Sequence, residues 1–474
     1  MRDMNLGKHS GFLLTLLTVV GCTTIFNARE AQVLVSDRGE GVRPEAAKLD
    51  LSDRSLHELV DFALTNRPSM ASAALAVADA RLALREIAAA APLVSYAPWL
   101  SPHLGVSVGT SESSTRAKRL KWRTDGNASA GLSLDILIYD FGRNAAQARA
   151  QAERVIAAEY EFVTAGYAVF EEVSAAYFNL MAKDALLEVA LTNETEYAMR
   201  LRQAQDRFAA GEAKRLDVTA AKLDLSQARE ATIVASNDVA MAGAEMMRAL
   251  GVDISRGTRD AVFPASGKAL SEVVRGFATT GYGVEEAFEL ARTNAPSMAV
   301  VRARLRAASH AVDYAVADLM PSVSAEVGIQ WTDPLWAWHW GVSAVQSLFE
   351  GFRKTTAVDR AVVKLHSAAA DVDEAEQKLS LQLETAIAAR DNAVKSLETA
   401  RVSVANALEN LNTAKAQFSE GDVSRVDFTI AIAKYTDALG KRVSDFYTGQ
   451  AAEARLFALL GRLPDYREEI LKEK

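Results

Sequence analysis

Arg207-Phe208-Ala209-Ala210-Gly211, followed by Leu216-Asp217-Val218, recurs 210 residues later as Gln417-Phe418-Ser419-Glu420-Gly421, followed by Val426-Asp427-Phe428. The same offset relates Tyr139-Asp140-Phe141-Gly142-Arg143 to Phe349-Glu350-Gly351-Phe352-Arg353. A third pair shares the pattern Asn-x-Pro-Ser-Met, at 66–70 and at 294–298. Three matches in the same order are hard to obtain by chance, so the chain contains an internal duplication.

The duplication divides the chain into two structural repeats, at residues 54–262 and 263–462. Each repeat is predicted to contain a helix, a strand pair, a long helix, a turn and a returning helix. The strand pairs are expected at about 103–138 and about 322–346, and the turns at Gly211 and Gly421. Residues 463–474 form a C-terminal tail outside the repeats.

The prolines show where long helices are allowed. Residues 103–263 and 335–463 contain no proline and are rich in Ala, Glu, Leu, Gln and Arg, which favour helix. Each long helix, from about Arg143 to Phe208 and from about Arg353 to Phe418, would measure about 100 Å at ~1.5 Å per residue.

Apolar or small residues recur every seven positions within these helices, which predicts left-handed supercoiling against partner helices. The positions are Ile156, Val163, Phe170 and Tyr177 in the first repeat, and Val358, Leu365, Val372, Leu379, Ala386, Ala393, Ala400 and Ala407 in the second.

Strand signals precede each long helix. Apolar residues alternate with polar or small ones over 104–109 and 131–138, and again over 323–331 and 336–344. Each run has about 7–10 residues, close to the ~9–11 that cross a bilayer at a tilt. A soluble, half-buried sheet would show the same alternation. Four tryptophans at one hairpin favour the membrane interpretation, as an interfacial aromatic girdle: Trp331, Trp336, Trp338 and Trp340.

The N-terminus has the features of an export signal. Arg2 and Lys8 precede an apolar run over 12–20, about half the ~20 residues of a spanning helix, so residues 1–21 are interpreted as a signal peptide. Val19-Val20-Gly21-Cys22 resembles a bacterial lipobox, in which the cysteine is acylated; the alternative is a signal peptide with a chance cysteine. Residues 22–53 would then be a lipidated extension, and Thr23, where an inner-membrane lipoprotein usually has Asp, implies sorting to the outer membrane.

Composition excludes several classes of protein. A net charge of −8 and a pI near 5.5 argue against nucleic-acid binding. One cysteine excludes a disulfide framework. The six histidines are scattered, and no His-x-x-x-His, Gly-x-Ser-x-Gly or phosphate-binding glycine loop occurs, so no catalytic residue, metal site or cofactor is expected.

Four strands are too few for a membrane barrel, since about eight is the smallest number that closes. Open sheet edges are not tolerated in hydrocarbon. A membrane-crossing sheet therefore requires several chains. The basic run between the first two strands is either a solvated loop, the simpler interpretation, or a contact with outer-membrane lipid phosphates: Arg116, Lys118, Arg119, Lys121 and Arg123.

The duplicated order of elements over roughly 54–462 resembles the TolC-like outer-membrane factor family. The second-repeat stretch Phe349-Glu350-Gly351-Phe352-Arg353 is similar to the Phe-Asp-Gly-Gly-Arg pattern with which that family begins its long helix. No single motif is specific, and the resemblance depends on the duplicated order.

This resemblance implies a mainly helical fold, with a long coiled-coil α-barrel and four β-strands per chain, in a homotrimer. The strands would form a twelve-stranded outer-membrane barrel and the helices a periplasmic tunnel. Gly211 and Gly421 would lie at the turns that contact a periplasmic adaptor, and the segment 251–282 would join the two repeats in an equatorial belt.

Asp217 and Asp427 match acidic positions just inside the returning helices, where the family resemblance implies a possible periplasmic constriction. A second acid that completes the ring in well-known members is replaced here by Ile430. An alternative role for both aspartates is a favourable charge at a helix N-terminus.

The function implied is passive export from an inner-membrane transporter and adaptor across the periplasm and outer membrane. The alternative is a periplasmic coiled-coil lipoprotein adaptor or scaffold without a pore. That alternative explains the heptads and Cys22, but it explains neither the four alternating strands nor the tryptophans. The cargo is not defined by the sequence.

Overall fold

The computed structural model describes residues 55–89, 101–116, 122–252, 281–332, 335–347, 349–420 and 423–462. Cys22, Gly421, the basic residues Lys118, Arg119 and Lys121, and most of the segment 251–282 lie outside them. The division into domains therefore stays a prediction.

Each repeat contains the same six elements in the same order. The first has α1 (Leu56–Asn66), α2 (Pro68–Ala89), β1 (Ser101–Arg116), β2 (Trp122–Tyr139), α3 (Arg143–Ala209) and α4 (Arg215–Ala249). The second has α5 (Val284–Asn294), α6 (Pro296–Ala317), β3 (Ser322–Thr332), β4 (Leu335–Val345), α7 (Arg353–Glu420) and α8 (Arg425–Leu459).

Equivalent helices have almost equal lengths. The short pairs have 11 and 22 residues in both repeats, the long helices 67 and 68, and the returning helices 35 each. Only the strands differ, with 16 and 18 residues in the first repeat against 11 and 11 in the second. The fold is thus mainly helical and internally duplicated, with a small antiparallel sheet.

The four strands form one antiparallel sheet in the order β1-β2-β3-β4. The pairing is regular apart from an irregularity between Leu137 and Tyr139, where β2 approaches its helix. Because β1 and β4 each pair on one side only, both outer edges of the described sheet are open.

The helices pack side by side in an order that follows the sheet. Beside the strands, α3 lies between α2 and α6, and α6 lies against α7. Beyond the midpoint of α3, the returning helices replace the short ones, so that α3 lies between α4 and α8, and α8 lies against α7. A 35-residue helix spans about 50 Å at ~1.5 Å per residue, about half of α3, which explains why each long helix needs two successive partners.

The predicted heptad stripe of α7 faces its partners. Leu379, Ala386, Ala393 and Ala400 are buried, and the other four positions are partly buried. In α3 the stripe is less continuous, because Phe170 is buried whereas Val163 is 41% exposed. Alanine at four consecutive positions lets helices approach closely, so the packing of α7 depends on proximity rather than on large side chains.

Two equivalent cores form where each short first helix meets its long and returning helices. In the first repeat Leu59 of α1 packs with Val173 of α3 and Met246 of α4. In the second repeat Ala291 of α5 packs with Leu383 of α7 and Leu456 of α8. All six side chains are at most 1% exposed, so these cores are the best-packed parts of the described fold.

A glycine ends each returning helix against the proline break of the same repeat. Gly251 has φ +77°, and a Cβ there would lie 3.1 Å from the backbone of Arg67. Gly461, 210 positions later, has φ +66°, and a Cβ there would lie 2.6 Å from the carbonyl oxygen of Asn294. The Asn-x-Pro-Ser-Met pattern therefore marks the place where the returning helix docks.

None of the helices over 56–89, 143–249, 284–317 and 353–459 has a segment that is both long and apolar enough to cross a membrane.

Candidate functional site

Gly211 lies at the turn between α3 and α4, far along the chain from the strands. It has φ +77°, its N–H donates to the Phe208 carbonyl at 3.0 Å, and the Glu212 N–H donates to the Arg207 carbonyl at 2.8 Å. These two bonds close the C-terminal turn of α3 in the way that left-handed glycine caps do. Gly211 is exposed and an added Cβ would meet nothing within 4 Å, so the surface of this turn is open.

Asp217 and Asp427 occupy equivalent positions in the first turns of α4 and α8. The Lys214 N–H donates to Oδ2 of Asp217 at 3.0 Å. The Asp427 N–H donates to Oγ of Ser424 at 3.2 Å, and the Ser424 hydroxyl donates to Oδ2 of Asp427 at 2.7 Å. The Asp217 carboxylate thus accepts a backbone N–H before α4, whereas the Asp427 carboxylate accepts from the hydroxyl of Ser424, which caps α8. Both carboxylates lie at a helix N-terminus, where the helix dipole favours negative charge. A constriction formed by them remains a prediction, and Ile430 is 46% exposed nearby on α8.

An aromatic–cationic group, here called the tip cluster, joins the two helical hairpins near these turns. It consists of Tyr197 and Arg200 on α3, Phe418 on α7 and Phe428 on α8. The Arg200 guanidinium carbon lies 4.1 Å from the ring centre of Phe428 and 5.2 Å from that of Tyr197. Phe418 and Phe428 stack at 5.0 Å with an interplanar angle of 23°. These contacts connect the α3–α4 hairpin to the α7–α8 hairpin.

The tip cluster borders a cleft of about 260 Å³, which is also lined by Asp217 and Asp224. Burial raises the pKa of the Tyr197 hydroxyl, an effect that Arg200 opposes and Asp224 reinforces. Burial also lowers the pKa of the Arg200 guanidinium, which stays charged at any physiological pH. Partial desolvation of the cation strengthens its attraction to the aromatic faces.

The turns from strand to long helix have the same backbone conformation in both repeats, with two consecutive residues at positive φ. Phe141 and Gly142 have φ +54° and +84°, and Gly351 and Phe352 have φ +61° and +65°. Left-handed phenylalanine is unusual because its Cβ crowds the carbonyl oxygen.

Carboxylates support these strained turns. Asp140, only 3% exposed, accepts the Gly142 N–H at 3.1 Å and the Asn144 N–H at 2.8 Å. In the second repeat Glu350 accepts from the Ser347 hydroxyl and from Arg353, and these hydrogen bonds lower the pKa of its carboxyl.

Asp318, just after α6, ties the two turns together. Its Oδ1 lies 3.2 Å from Nη1 of Arg143, at the start of α3. Nζ of Lys354, at the start of α7, donates to the Asp318 carbonyl oxygen at 2.6 Å. One residue thereby fixes the starts of both long helices below the sheet.

The predicted aromatic residues share one face of the sheet. Trp331 on β3 pairs with Trp336 on β4, with ring centres 6.5 Å apart, and Trp338 and Trp340 follow at alternate positions of β4. Trp336, Trp338 and Trp340 are 70–74% exposed. Their role at a membrane interface is an expectation that the exposure supports.

The tip cluster and Asp318 were not predicted as functional residues, although Phe418 and Phe428 lie within the repeated stretch at 417–428. A recurring Leu-Gly at 250–251 and 460–461 was a sequence signal for the two docking glycines. Within the described residues no group of three or more His, Cys, Asp or Glu side chains is arranged to hold a metal ion.

A duplicated set of long helical hairpins on a small antiparallel sheet is typical of one class of channel-forming proteins. Comparison with known proteins shows the family to which this chain belongs. The family model of outer membrane efflux proteins matches residues 59–252 and 287–462. The chain belongs to the outer membrane efflux protein family. No curated protein sequence matches it.

Several solved structures share the fold. A membrane protein from Pseudomonas aeruginosa has 21% identity and a TM-score of 0.73, with 89% of this chain and 93% of that chain covered. CusC, described as forming a transmembrane channel, has 18% identity and a TM-score of 0.74, with 89% and 97% covered. VceC, an outer membrane protein from Vibrio cholerae, has 18% identity and a TM-score of 0.71, with 86% and 96% covered.

Proposed function

We propose that this chain assembles as a homotrimer into a continuous channel-tunnel that conducts export substrates passively across the periplasm and the outer membrane. As an outer membrane efflux protein it is a transport component located in the outer membrane. The proposal adds the assembly state, the partners and the role of individual residues, and assigns the chain no enzymatic activity.

The proposal depends on one observation: the strands lie side by side in the same order as the helices to which they are connected. The sheet order β1-β2-β3-β4 matches the helix order α2-α3-α6-α7, so the open edge of β1 and the helices α2 and α4 lie toward one side of the chain. The open edge of β4 and the outer face of α7 lie toward the other. Joining the two sides of neighbouring chains would close the sheet and the helical layer at the same time.

Exposed apolar side chains on the outermost helices support this closure. They lie on α2 (Leu75, Leu82), on α4 (Leu216, Leu223, Ile233, Val234, Met241) and on α7 (Val363, Leu381, Val402, Leu408), and are 40–73% exposed in the single chain. Rows of this kind on one protein mark surfaces that another chain covers. Two chains would supply eight strands and three would supply twelve, and the family resemblance favours three.

The partners proposed are an inner-membrane transporter and a periplasmic adaptor. The open surface of the Gly211 turn suits contact with an adaptor, and Gly421 is proposed for the same role by its position in the repeat. Asp217 and Asp427 are proposed to line the narrow periplasmic end. Cys22 is proposed as the lipid anchor, and the four tryptophans as contacts with outer-membrane lipid.

The assembly is tested by measuring mass and conductance on the same preparation. Detergent-purified protein should give the mass of three chains, and cysteines introduced on β1 and β4 should crosslink between chains. The matched control places both cysteines on the internal strands β2 and β3 of different chains, which should not crosslink. A monomeric preparation without conductance in planar bilayers would favour the scaffold alternative.

The adaptor contact is tested with a photo-crosslinker at Glu212, which is exposed beside Gly211. It should capture an adaptor in cells, whereas a crosslinker at the exposed Glu285, at the start of α5, should not. Equal capture from both positions would contradict the assignment of the turn.

A further inference from the structure

The two faces of the β3–β4 hairpin have opposite chemistry. One face, here called the apolar face, carries Trp331 beside Trp336, Ile329 beside Trp338 and Val327 beside Trp340. On the other, the polar face, Ser324 bonds to Ser343 at 3.0 Å, and Glu326, Gln330 and His339 lie at alternate positions. In transmembrane barrels the apolar face meets lipid and the polar face lines the water-filled interior.

The glycine opposite His339 leaves space for its imidazole ring on the polar face. Its strand partner is Gly328, and a Cβ at that glycine would lie 2.4 Å from the imidazole. Real Cβ atoms do not approach so closely, so only glycine lets the ring lie across β3. From there Nε2 of His339 reaches Oε1 of Glu326 at 3.3 Å.

A second carboxylate continues this arrangement across the sheet. Asp135 on β2 pairs directly with Glu326 on β3, so both side chains emerge on the polar face at the same level. His103 pairs with Asp135 in turn, from β1. The residues Asp135, Glu326 and His339 are here called the cross-strand row.

The charge of this row is not balanced by strong bases. Residues 131–139, 322–332 and 335–345 contain no lysine or arginine. The side chains of Glu326 and His339 are each 49% exposed, so both are accessible to water and ions. Each chain therefore contributes two carboxylates at one level, with His339 beside Glu326 and His103 paired in register with Asp135.

We propose that the cross-strand row is a charge filter inside the barrel, where it favours cations and where protonation of His339 weakens that preference. This inference rests on the proposed trimer, which would gather six carboxylates and three of these imidazoles at one level of the lumen. Rings of carboxylates select cations in other pores, because low-dielectric walls focus their field on the passing ion.

The pH dependence follows from the groups that face His339. Glu326 is the only ionisable residue of the neighbouring strand β3, Asp135 and His103 lie one and two strands further, and β4 contains no other ionisable residue. Histidine is the side chain whose charge most often changes between pH 8 and pH 5. A proton gained by His339 would add positive charge to the row.

The test measures the reversal potential of full-length channels in planar bilayers under a KCl gradient. At pH 8 the wild-type channel should prefer K⁺ to Cl⁻, and Glu326→Gln and Asp135→Asn should each lower the permeability ratio at least twofold. Ser324→Ala, an uncharged change on the same face, should leave the ratio unchanged. Wild-type conductance with the same ratio in both carboxylate variants would overturn the filter.

A second arm uses pH and does not depend on removing a carboxylate. The preference of the wild-type channel for K⁺ should weaken between pH 8 and pH 5, and His339→Gln should reduce that change, with His103, opposite Asp135, left in place. A pH response of unchanged size in His339→Gln would overturn the role of the histidine. Complete absence of wild-type channels would instead refute the proposed function on which this inference rests.

Discussion

Replacing Phe428 with alanine should loosen the contact between the two hairpins at the ends that carry the tip cluster. Phe428 is 6% exposed, and it both stacks on Phe418 and lies under the Arg200 guanidinium. Because α8 begins only three residues earlier, at Arg425, this ring is the first large buried side chain of the returning helix. Its removal leaves a cavity and takes from Arg200 the nearer of its two aromatic partners.

The size of the effect follows from the contacts. Truncation of a buried Phe to Ala costs about 3–5 kcal/mol, and a partly desolvated cation–π contact contributes about 1–2 kcal/mol of that total. Taking about 3 kcal/mol for a site at the end of a helix pair, the local opening equilibrium should shift by roughly a hundredfold, since ~1.4 kcal/mol is tenfold. Arg200→Met, which keeps the aliphatic packing, should shift it by about tenfold.

Native-state hydrogen exchange on the assembled protein measures this directly. Peptides covering 425–432 should exchange faster in Phe428→Ala, while those covering the core around Met246 should not change. The control is Phe208→Ala, because Phe208 is the first-repeat equivalent of Phe418 and is 47% exposed. If exchange over 425–432 changed less than threefold in Phe428→Ala, the tip cluster would not hold the hairpins together.

Three further changes have defined outcomes. Gly461→Ala should lower the melting temperature more than Gly211→Ala. Both glycines have positive φ, which costs about 1–2 kcal/mol when the residue is alanine, but only at Gly461 would the new Cβ also lie 2.6 Å from a carbonyl oxygen. Equal losses of melting temperature would refute the close-approach argument. Burial, and secondarily the charge of Glu188, raises the pKa of the Asp184 carboxyl from 3.8 to about 6. The folded state therefore binds this proton more readily than the unfolded chain, and the free energy of unfolding falls as pH rises from about 4 to 6. Asp184→Asn should therefore stabilise the protein in melts at pH 7.5 and have little effect at pH 4, and stabilisation at both pH values would refute the assignment. Asp318→Asn should weaken the anchoring of α3 through Arg143 and speed exchange in the first turn of that helix, while the bond from Lys354 to the Asp318 carbonyl oxygen is retained; unchanged exchange would show that Arg143 is held by other contacts.

The sequence was sufficient for features that depend on periodicity and repetition. The heptad at Leu379, Ala386 and Ala393 identified the buried face of α7, because a seven-residue repeat leaves little choice about which side meets a partner. Alternation assigned the apolar and polar residues of β3 and β4 to opposite faces for the same reason. Both features are local, and local patterns are readable without knowing what packs against them.

Contacts between distant elements could not be read in that way. Arg200 meets Phe428 across 228 residues, and nothing in the spacing of either helix fixes the rotation of α3 relative to α8. Likewise, the sequence does not distinguish Gly328 from the other glycines among its 26, and only the strand register shows that it pairs with His339. Such sites depend on register and rotation, which arise from the packing of the whole chain.

The two repeats differ at the tip cluster, although their docking glycines are equivalent. The docking glycines Gly251 and Gly461 remain equivalent, because each closes a core against its own proline break and no side chain could replace it. At the tips, the partly buried and stacked Phe418 corresponds by position to the exposed Phe208, and Phe428 corresponds to the smaller Val218. The α7–α8 hairpin is therefore stabilised by its own stacked rings, and the α3–α4 hairpin meets them through Arg200 and through the buried side chains of Tyr197, Leu225 and Ala228. A transition that separates the hairpins would break the contact of Arg200 with Phe428 and leave the stacked pair intact, so Arg200 links the position of the α3–α4 hairpin to the tip cluster.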